Sequence, residues 1–171
     1  MPQPYLKKIS LEDKVDKNIW DMMQGIDKNE NGFINNGFGM NMEEFGDYVQ
    51  KLYHGGIKPE SGKVAQTVFW LFDNNEVIGY SKMRHGLTDN LKIRGGHIGY
   101  GIKKEKRGMG YGKIILNLTL NELFKIGVDK ALLTCDQHNI ASKKVIESCG
   151  GIMEDIKNGI CRYWIDKEKI I

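Results

Sequence analysis

Apolar residues recur along this chain at two spacings, and the change from one to the other divides it. Over residues 11–24, Val15, Ile19, Met22 and Met23 stand at helical intervals, which predicts an amphipathic helix behind a first strand at 5–9. Asn and Gly crowd residues 29–39, which reads as loop. A second helix is expected over 42–53, with Glu43, Glu44 and Asp47 where the helix dipole favours negative charge. From residue 66 the pattern turns to strands: 67–72 and 77–83 form a hairpin around residues 73–75, and 97–102 is a further strand interrupted by Gly99 and Gly101. Glycine inside a strand signals a bulge or a ligand pressed against the backbone. A long helix is predicted over 110–126, stopped by Gly127, followed by an apolar strand at 130–135 and a helix at 139–148 with Asn139 as its N-cap. Strands at 152–156 and 160–165 close the chain around the turn 157–159. The order predicts an α+β domain with a mixed central sheet of about six to seven strands and about four helices.

At 171 residues the chain fits one domain with a core large enough to need no disulfide or metal. With 40% hydrophobic and 27% charged residues it is balanced against disorder, and a net charge of +3, spread along the chain, points to no nucleic-acid partner. No stretch approaches the ~20 apolar residues that cross a bilayer, and residues 1–10 lack the look of a leader, so no membrane partner is expected and the cytoplasm is the expected location. Cys135, Cys149 and Cys161 have neither disulfide nor zinc spacing. No repeat or low-complexity segment is present.

The most informative stretch is Arg107, Gly108, Met109, Gly110, Tyr111 and Gly112, between a strand ending at Ile102 and a helix starting near Gly110. A helix start leaves backbone N–H groups unpaired and carries partial positive charge, so a glycine-rich turn there can wrap a phosphate in amides that side chains would otherwise block. Arg107 adds a fixed positive charge, and Tyr111 is expected to face the core. A P-loop is excluded, because G-x-x-x-x-G-K-[ST] is absent. The dinucleotide fingerprint fails at its last glycine, since none stands three residues after Gly110 or Gly112. A plain strand-to-helix turn accounts for the glycines equally well.

The context decides between them. R-x-x-G-x-G after a strand, then an apolar helix, a strand, and Asn139 with Ser142 opening another helix, resembles the GCN5-related N-acetyltransferase (GNAT) superfamily over residues 96–151; GGHIGYGI, LLTCD, NIASKKVIE and RYWID look like a bacterial branch of it. The resemblance implies a three-layer α/β/α GNAT fold over residues 1–171: a substrate side (1–65), central antiparallel strands (66–102), a coenzyme-A-binding core (103–151) and C-terminal strands (152–171). It implies acetyl-CoA as co-substrate and an N-acetyltransferase acting on a primary amine of unspecified identity by direct attack in a ternary complex. Ile102 is then expected to offer backbone groups to the pantetheine arm, Arg107, Gly108, Met109, Gly110, Tyr111, Gly112 and Lys113 to hold the pyrophosphate, and Asn139 and Ser142 to touch the pantetheine end. Lys143 and Lys144 are read as solvated lysines. Dimerisation through the final strands is left open.

One position departs from the pattern. Seven residues past Asn139, where many family members carry a tyrosine acid, this chain has Ile146. Tyr100, Cys135, Cys149 or water must then protonate the departing thiolate, and the loss motivates an alternative reading as a catalytically degenerate coenzyme-A sensor. His97, on the strand expected to split from its neighbour, is the candidate base, and Asp136 the second. Glu30, Glu43, Glu44 and Asp47 are candidates for an anionic mouth around a cationic amine. Residues 27–34 copy the first eight positions of a calcium loop, but position twelve is Phe38 instead of a bidentate glutamate, so no metal is expected.

Overall fold

The computed structural model describes residues 2–30 and 33–170. In chain order it contains β1 (Tyr5–Lys8), α1 (Lys17–Gln24), β2 (Asn29–Glu30), β3 (Phe33–Ile34), α2 (Met42–Ile57), β4 (Gln66–Asp73), β5 (Glu76–Arg84), α3 (Asp89–Ile93), β6 (Ile98–Ile102), α4 (Tyr111–Lys125), β7 (Lys130–Asp136), α5 (Ile140–Ser148), β8 (Ile152–Lys157) and β9 (Ile160–Asp166). Four strands pair in the order β1-β4-β5-β6 and three in the order β7-β9-β8, every registered pair antiparallel. The expected central sheet thus exists as two sheets that meet between β6 and β7.

Both faces of the larger sheet are covered. Ile19, Met22 and Met23 of α1 and Phe45 and Val49 of α2 pack with Trp70 and Tyr80 on one face. Leu116, Leu120 and Leu123 of α4 and Ile146 of α5 pack with Phe69, Met83 and Tyr163 on the other. This is the three-layer α/β/α arrangement. It explains why β4 buries five successive residues, Thr67 to Leu71, instead of alternating: a strand covered on both sides reads as a continuous apolar run. Positive φ at Asn74 and Asn75, and at Asn158 and Gly159, gives the two hairpins turns whose twist matches the strands.

Three expectations need correction. The helix over 11–24 is broken: a 3-10 turn runs over Leu11–Val15, Asp16 is extended, and its carboxylate takes the N–H groups of Asn18 and Ile19 to start α1. Val15, counted with the apolar face, is 73% exposed. The loop 29–39 contains the β2–β3 pair; the buried Asn35 anchors it by donating to the Met23 and Ile26 carbonyls, both at 2.7 Å, while Asn31 lies outside the described residues. The short α3, capped by Thr88, carries no apolar period and was not expected.

The broken first helix serves a buried carboxylate. Asp13 is 1% exposed and accepts from Lys7 Nζ at 2.7 Å, Ser10 N at 2.8 Å and Trp70 Nε1 at 2.8 Å, tying β1 and the 3-10 turn to β4. Its removal strands a buried indole N–H and a lysine. Asp13→Ala should therefore cost about 3 kcal/mol in urea denaturation; a loss under about 1 kcal/mol would show the cluster to be incidental.

Candidate active site

Between β6 and β7 the hydrogen-bond ladder is missing beyond one point of contact. There His97 N donates to Leu132 O at 2.8 Å, and Leu132 N donates to His97 Nδ1 at 2.9 Å. The approach requires glycine just before it: Gly96 has φ +60°, and a Cβ would fall 2.3 Å from the Leu132 oxygen. Farther along, the strands part. Arg84 N donates to His97 O and Lys103 N donates to Ile78 O, so odd positions of β6 spend their backbone groups on β5. Ile98, Tyr100 and Ile102 therefore turn theirs toward the open edge. The Ile102 carbonyl is taken by Arg107 Nε at 2.9 Å.

The gap is a cleft of about 760 Å³ that crosses the molecule. Its α4 side is lined by Tyr100, Ile102, Arg107, Gly108, Gly110, Gly112, Lys113, Asn139 and Ser142, and Asp136 stands on the β7 wall. Gly110, at φ +88°, is the N-cap of α4 and no side chain caps that helix. Ile114 N is the first amide to reach a helical carbonyl, that of Gly110, so the N–H groups of Tyr111, Gly112 and Lys113 face outward at the positive end of the helix dipole. A Cβ on Gly108 or Gly110 would meet nothing within 4 Å, so the space over the turn is open for a ligand. Asn139 caps α5 by accepting from Ser142 N at 3.1 Å and holds Ser142 Oγ at 2.8 Å.

A sequence model of the family described as acetyltransferase (GNAT) domain matches residues 21–152. The chain belongs to the GNAT acetyltransferase family. Solved structures of similar fold include yncA of Salmonella typhimurium with its cofactor acetyl-CoA (TM-score 0.65, 12% identity, 96% of this chain and 94% of that one). A RimL ribosomal L7/L12 α-N-protein acetyltransferase in complex with coenzyme A is also similar (0.71, 15%, 97% and 95%). So is a spermidine N-acetyltransferase chimera of Vibrio cholerae SpeG and hSSAT (0.66, 18%, 98% and 98%). No curated protein sequence matches the chain.

GNAT enzymes use acetyl-CoA as co-substrate, and the open amides of α4, flanked by Arg107 and Lys113, fit a pyrophosphate. Other expected residues sit differently. Met109 is 62% exposed, and the ring of Tyr111 packs against the core cluster of Leu71, Ile78, Ile102 and Ile115, as expected, while its hydroxyl donates to Asp73 at 2.5 Å. Neither residue is among those lining the cleft. His97 lies at the pin between the sheets and is not among the residues lining the cleft. Asp136 pairs with Arg94 at 3.2 Å. Of the acidic mouth, Glu44 accepts from Asn41 N in a capping box, and Glu43, Glu44 and Asp47 line no part of the cleft; the side chain of Glu30 lies outside the described residues. Asp27, first position of the calcium-like loop, pairs with Lys104 at 2.6 Å. Among the described residues no helix is long and apolar enough to cross a membrane.

Sequence reading missed Lys82 and Arg84, which line the cleft from β5, and Leu91 and Arg94 around α3. The available signal was the alternation in Tyr80, Ser81, Lys82, Met83 and Arg84, where cations stand at every second position of a buried strand.

Burial, with Arg84 nearby, holds His97 down to about 4. Its folded value is depressed below the ordinary 6.5, so the unfolded chain takes up a proton between pH 6.5 and 4 while the native imidazole stays neutral. The stabilising contribution is present above that window and is lost as pH falls through it. Wild type should lose on the order of 5 °C more in Tm from pH 7 to pH 4.5 than His97→Asn, whose amide keeps an acceptor for Leu132 N. Parallel pH profiles for the two proteins would remove His97 from the junction's energetics.

Proposed function

We propose that the chain transfers the acetyl group of acetyl-CoA directly to a primary amine bound in the same cleft. The observation that carries this reading is the split between β6 and β7, which joins the phosphate cradle on the α4 side to open space on the α1–α2 side of the sheet. One opening admits the thioester, the other the amine. Within this unit residues 103–151 serve the cofactor, residues 1–65 shape the acceptor side, and the central strands over 66–102 lie between them.

The N–H groups of Tyr100 and Ile102 at the open strand edge hold the pantetheine arm as an added strand would, and place hydrogen-bond donors near the thioester carbonyl. Gly108 to Lys113 and Arg107 hold the pyrophosphate, and Ser142, fixed by Asn139, orients the arm beside α5. Cys135 also lines the cleft, but burial pushes its thiol up to about 12. A thiol that stays protonated at neutral pH is a poor nucleophile, which favours direct attack by the amine over an acyl-cysteine route.

Tyr100 supplies the proton that Ile146 cannot. Its phenol is held well above its ordinary range, chiefly by burial, and it hydrogen-bonds with Ser142. Residues 142 and 146 lie one turn apart on the same face of α5, so a hydroxyl reaches nearly the place that Ile146 leaves apolar. On the acceptor side, Lys82 and Arg84 disfavour a bound ammonium, so the amine is bound neutral and, after attack on the thioester, gives up one of its two N–H protons to water or to Asp136. His97 acts as a positioning residue, fixing where the strands part.

Thiol release from acetyl-CoA over a mixed amine panel tests the proposal; a chain that binds coenzyme A and releases nothing above background is the sensor instead. Tyr100→Phe should lower kcat on the order of 100-fold while the Kd for acetyl-CoA moves less than about threefold. An unchanged kcat would leave protonation to solvent. Gly110→Val, forced out of its left-handed conformation, should weaken acetyl-CoA binding by about 10-fold to 1000-fold in calorimetry, and unchanged affinity in the folded variant would refute the cradle.

A further inference from the structure

Side chains on β5 alternate between the two faces of the sheet. Ser81 Oγ bonds Thr119 of α4 at 2.8 Å, whereas Tyr80 packs with α1 and α2, so Lys82 and Arg84 project on the α1–α2 side. In register with them, Gly101 pairs Tyr80 and Gly99 pairs Lys82, so β6 presents no side chain on that face. The result is a bare strand flanked by two cations. Ile26, Ile34, Asn36, Leu91 and Arg94 complete the chamber.

The charge balance there is one-sided. Arg94 is paired with Asp136, the only carboxylate among the described residues that line the cleft. Arg84 Nη1 donates to the Gly95 and Gly96 carbonyls at 3.2 and 3.1 Å, which fixes its guanidinium without neutralising it. No described acidic side chain pairs with Lys82 or Arg84. Burial, together with Arg84, pushes the Lys82 ammonium down to about 8, the mark of a cation short of a counter-charge. Burying two like charges side by side is costly unless something anionic joins them.

Resting on the amine-acetylation reading above, we propose that the acceptor carries an anionic group, a carboxylate or a phosphate, bound by Lys82 and Arg84 over the Gly99–Gly101 face of β6. This replaces the expected anionic mouth for a cationic substrate. It makes polyamines poor acceptors, since each further ammonium would sit against Lys82 and Arg84. Lys82 is thereby a specificity-determining residue, and Arg84 both orients the 95–96 backbone and completes the anion site.

Matched acceptors test this: glycine against glycinamide, phosphoethanolamine against ethanolamine, and putrescine, each followed by thiol release from acetyl-CoA. The anionic member of at least one pair should exceed its neutral partner about 10-fold or more in kcat/KM, and the pair that shows it separates carboxylate from phosphate. Lys82→Met should collapse that ratio to within about threefold while Lys82→Arg retains it, with acetyl-CoA affinity unchanged in both. Preference for the neutral amines or putrescine, or a ratio that survives in a folded Lys82→Met protein, would overturn the proposal. If no amine releases thiol, the transfer reading fails separately. The anion site is then judged by calorimetry on the protein saturated with coenzyme A. Tighter binding of N-acetylglycine than N-acetylglycinamide, or of phosphoethanolamine than ethanolamine, supports it; equal or undetectable binding of both pairs overturns it.

Discussion

Two neighbouring strands that touch at one residue pair and then separate set the character of this protein. His97 commits its own N–H and its ring Nδ1 to the two backbone groups of Leu132, and Gly96 allows the approach. Past that pin, the edge-facing N–H groups of Ile98, Tyr100 and Ile102 and the C=O groups of Ile98 and Tyr100 have no strand partner in β7, while Arg107 meets the Ile102 carbonyl. Backbone groups left in this way cost on the order of 1–3 kcal/mol each unless water or a ligand meets them. We propose that a pantetheine arm, which carries amides of its own, meets that need. The cofactor site is in this sense the unfinished part of the sheet.

Everything else in the site is arranged around that gap. The crossover from β6 to β7 passes through α4, whose uncapped, glycine-led start falls beside the opening and carries the amides proposed to face the phosphates. Helix α5 begins at the far end of β7 with Asn139 and Ser142, which brings Ser142 to Tyr100 across the cleft. The two faces of the sheet then divide the labour. In the proposed reading, Tyr100 on the α4 face serves the cofactor's chemistry, and Lys82 and Arg84 on the other face select what enters to be acetylated.

The cofactor half was legible in the sequence because it is local. Gly108, Gly110 and Gly112 stand within one turn, and their meaning follows from the strand before and the helix after. The strands and long helices were legible for the same reason, through their periodicity. What sequence reading missed depends on distant contacts. The helix over 11–24 was broken because Asp13 is drawn inward to Trp70, 57 positions away. Glu44 looked like a substrate contact but caps its own helix. His97 looked like a base because the sequence shows an imidazole on a splitting strand, and not that its ring is held by Leu132, 35 positions on. Lys82 and Arg84 were passed over because cations on a strand read as solvent-facing until the bare glycine face of β6 is set beside them.

The central claim is that the parted edge of β6 and the start of α4 are completed by acetyl-CoA. Hydrogen–deuterium exchange with and without saturating acetyl-CoA tests it at the level of single segments. The account predicts new protection over residues 98–102 and 108–113, with β4 and β9 unchanged. Protection confined to other segments, or none at saturation in these two, would contradict it.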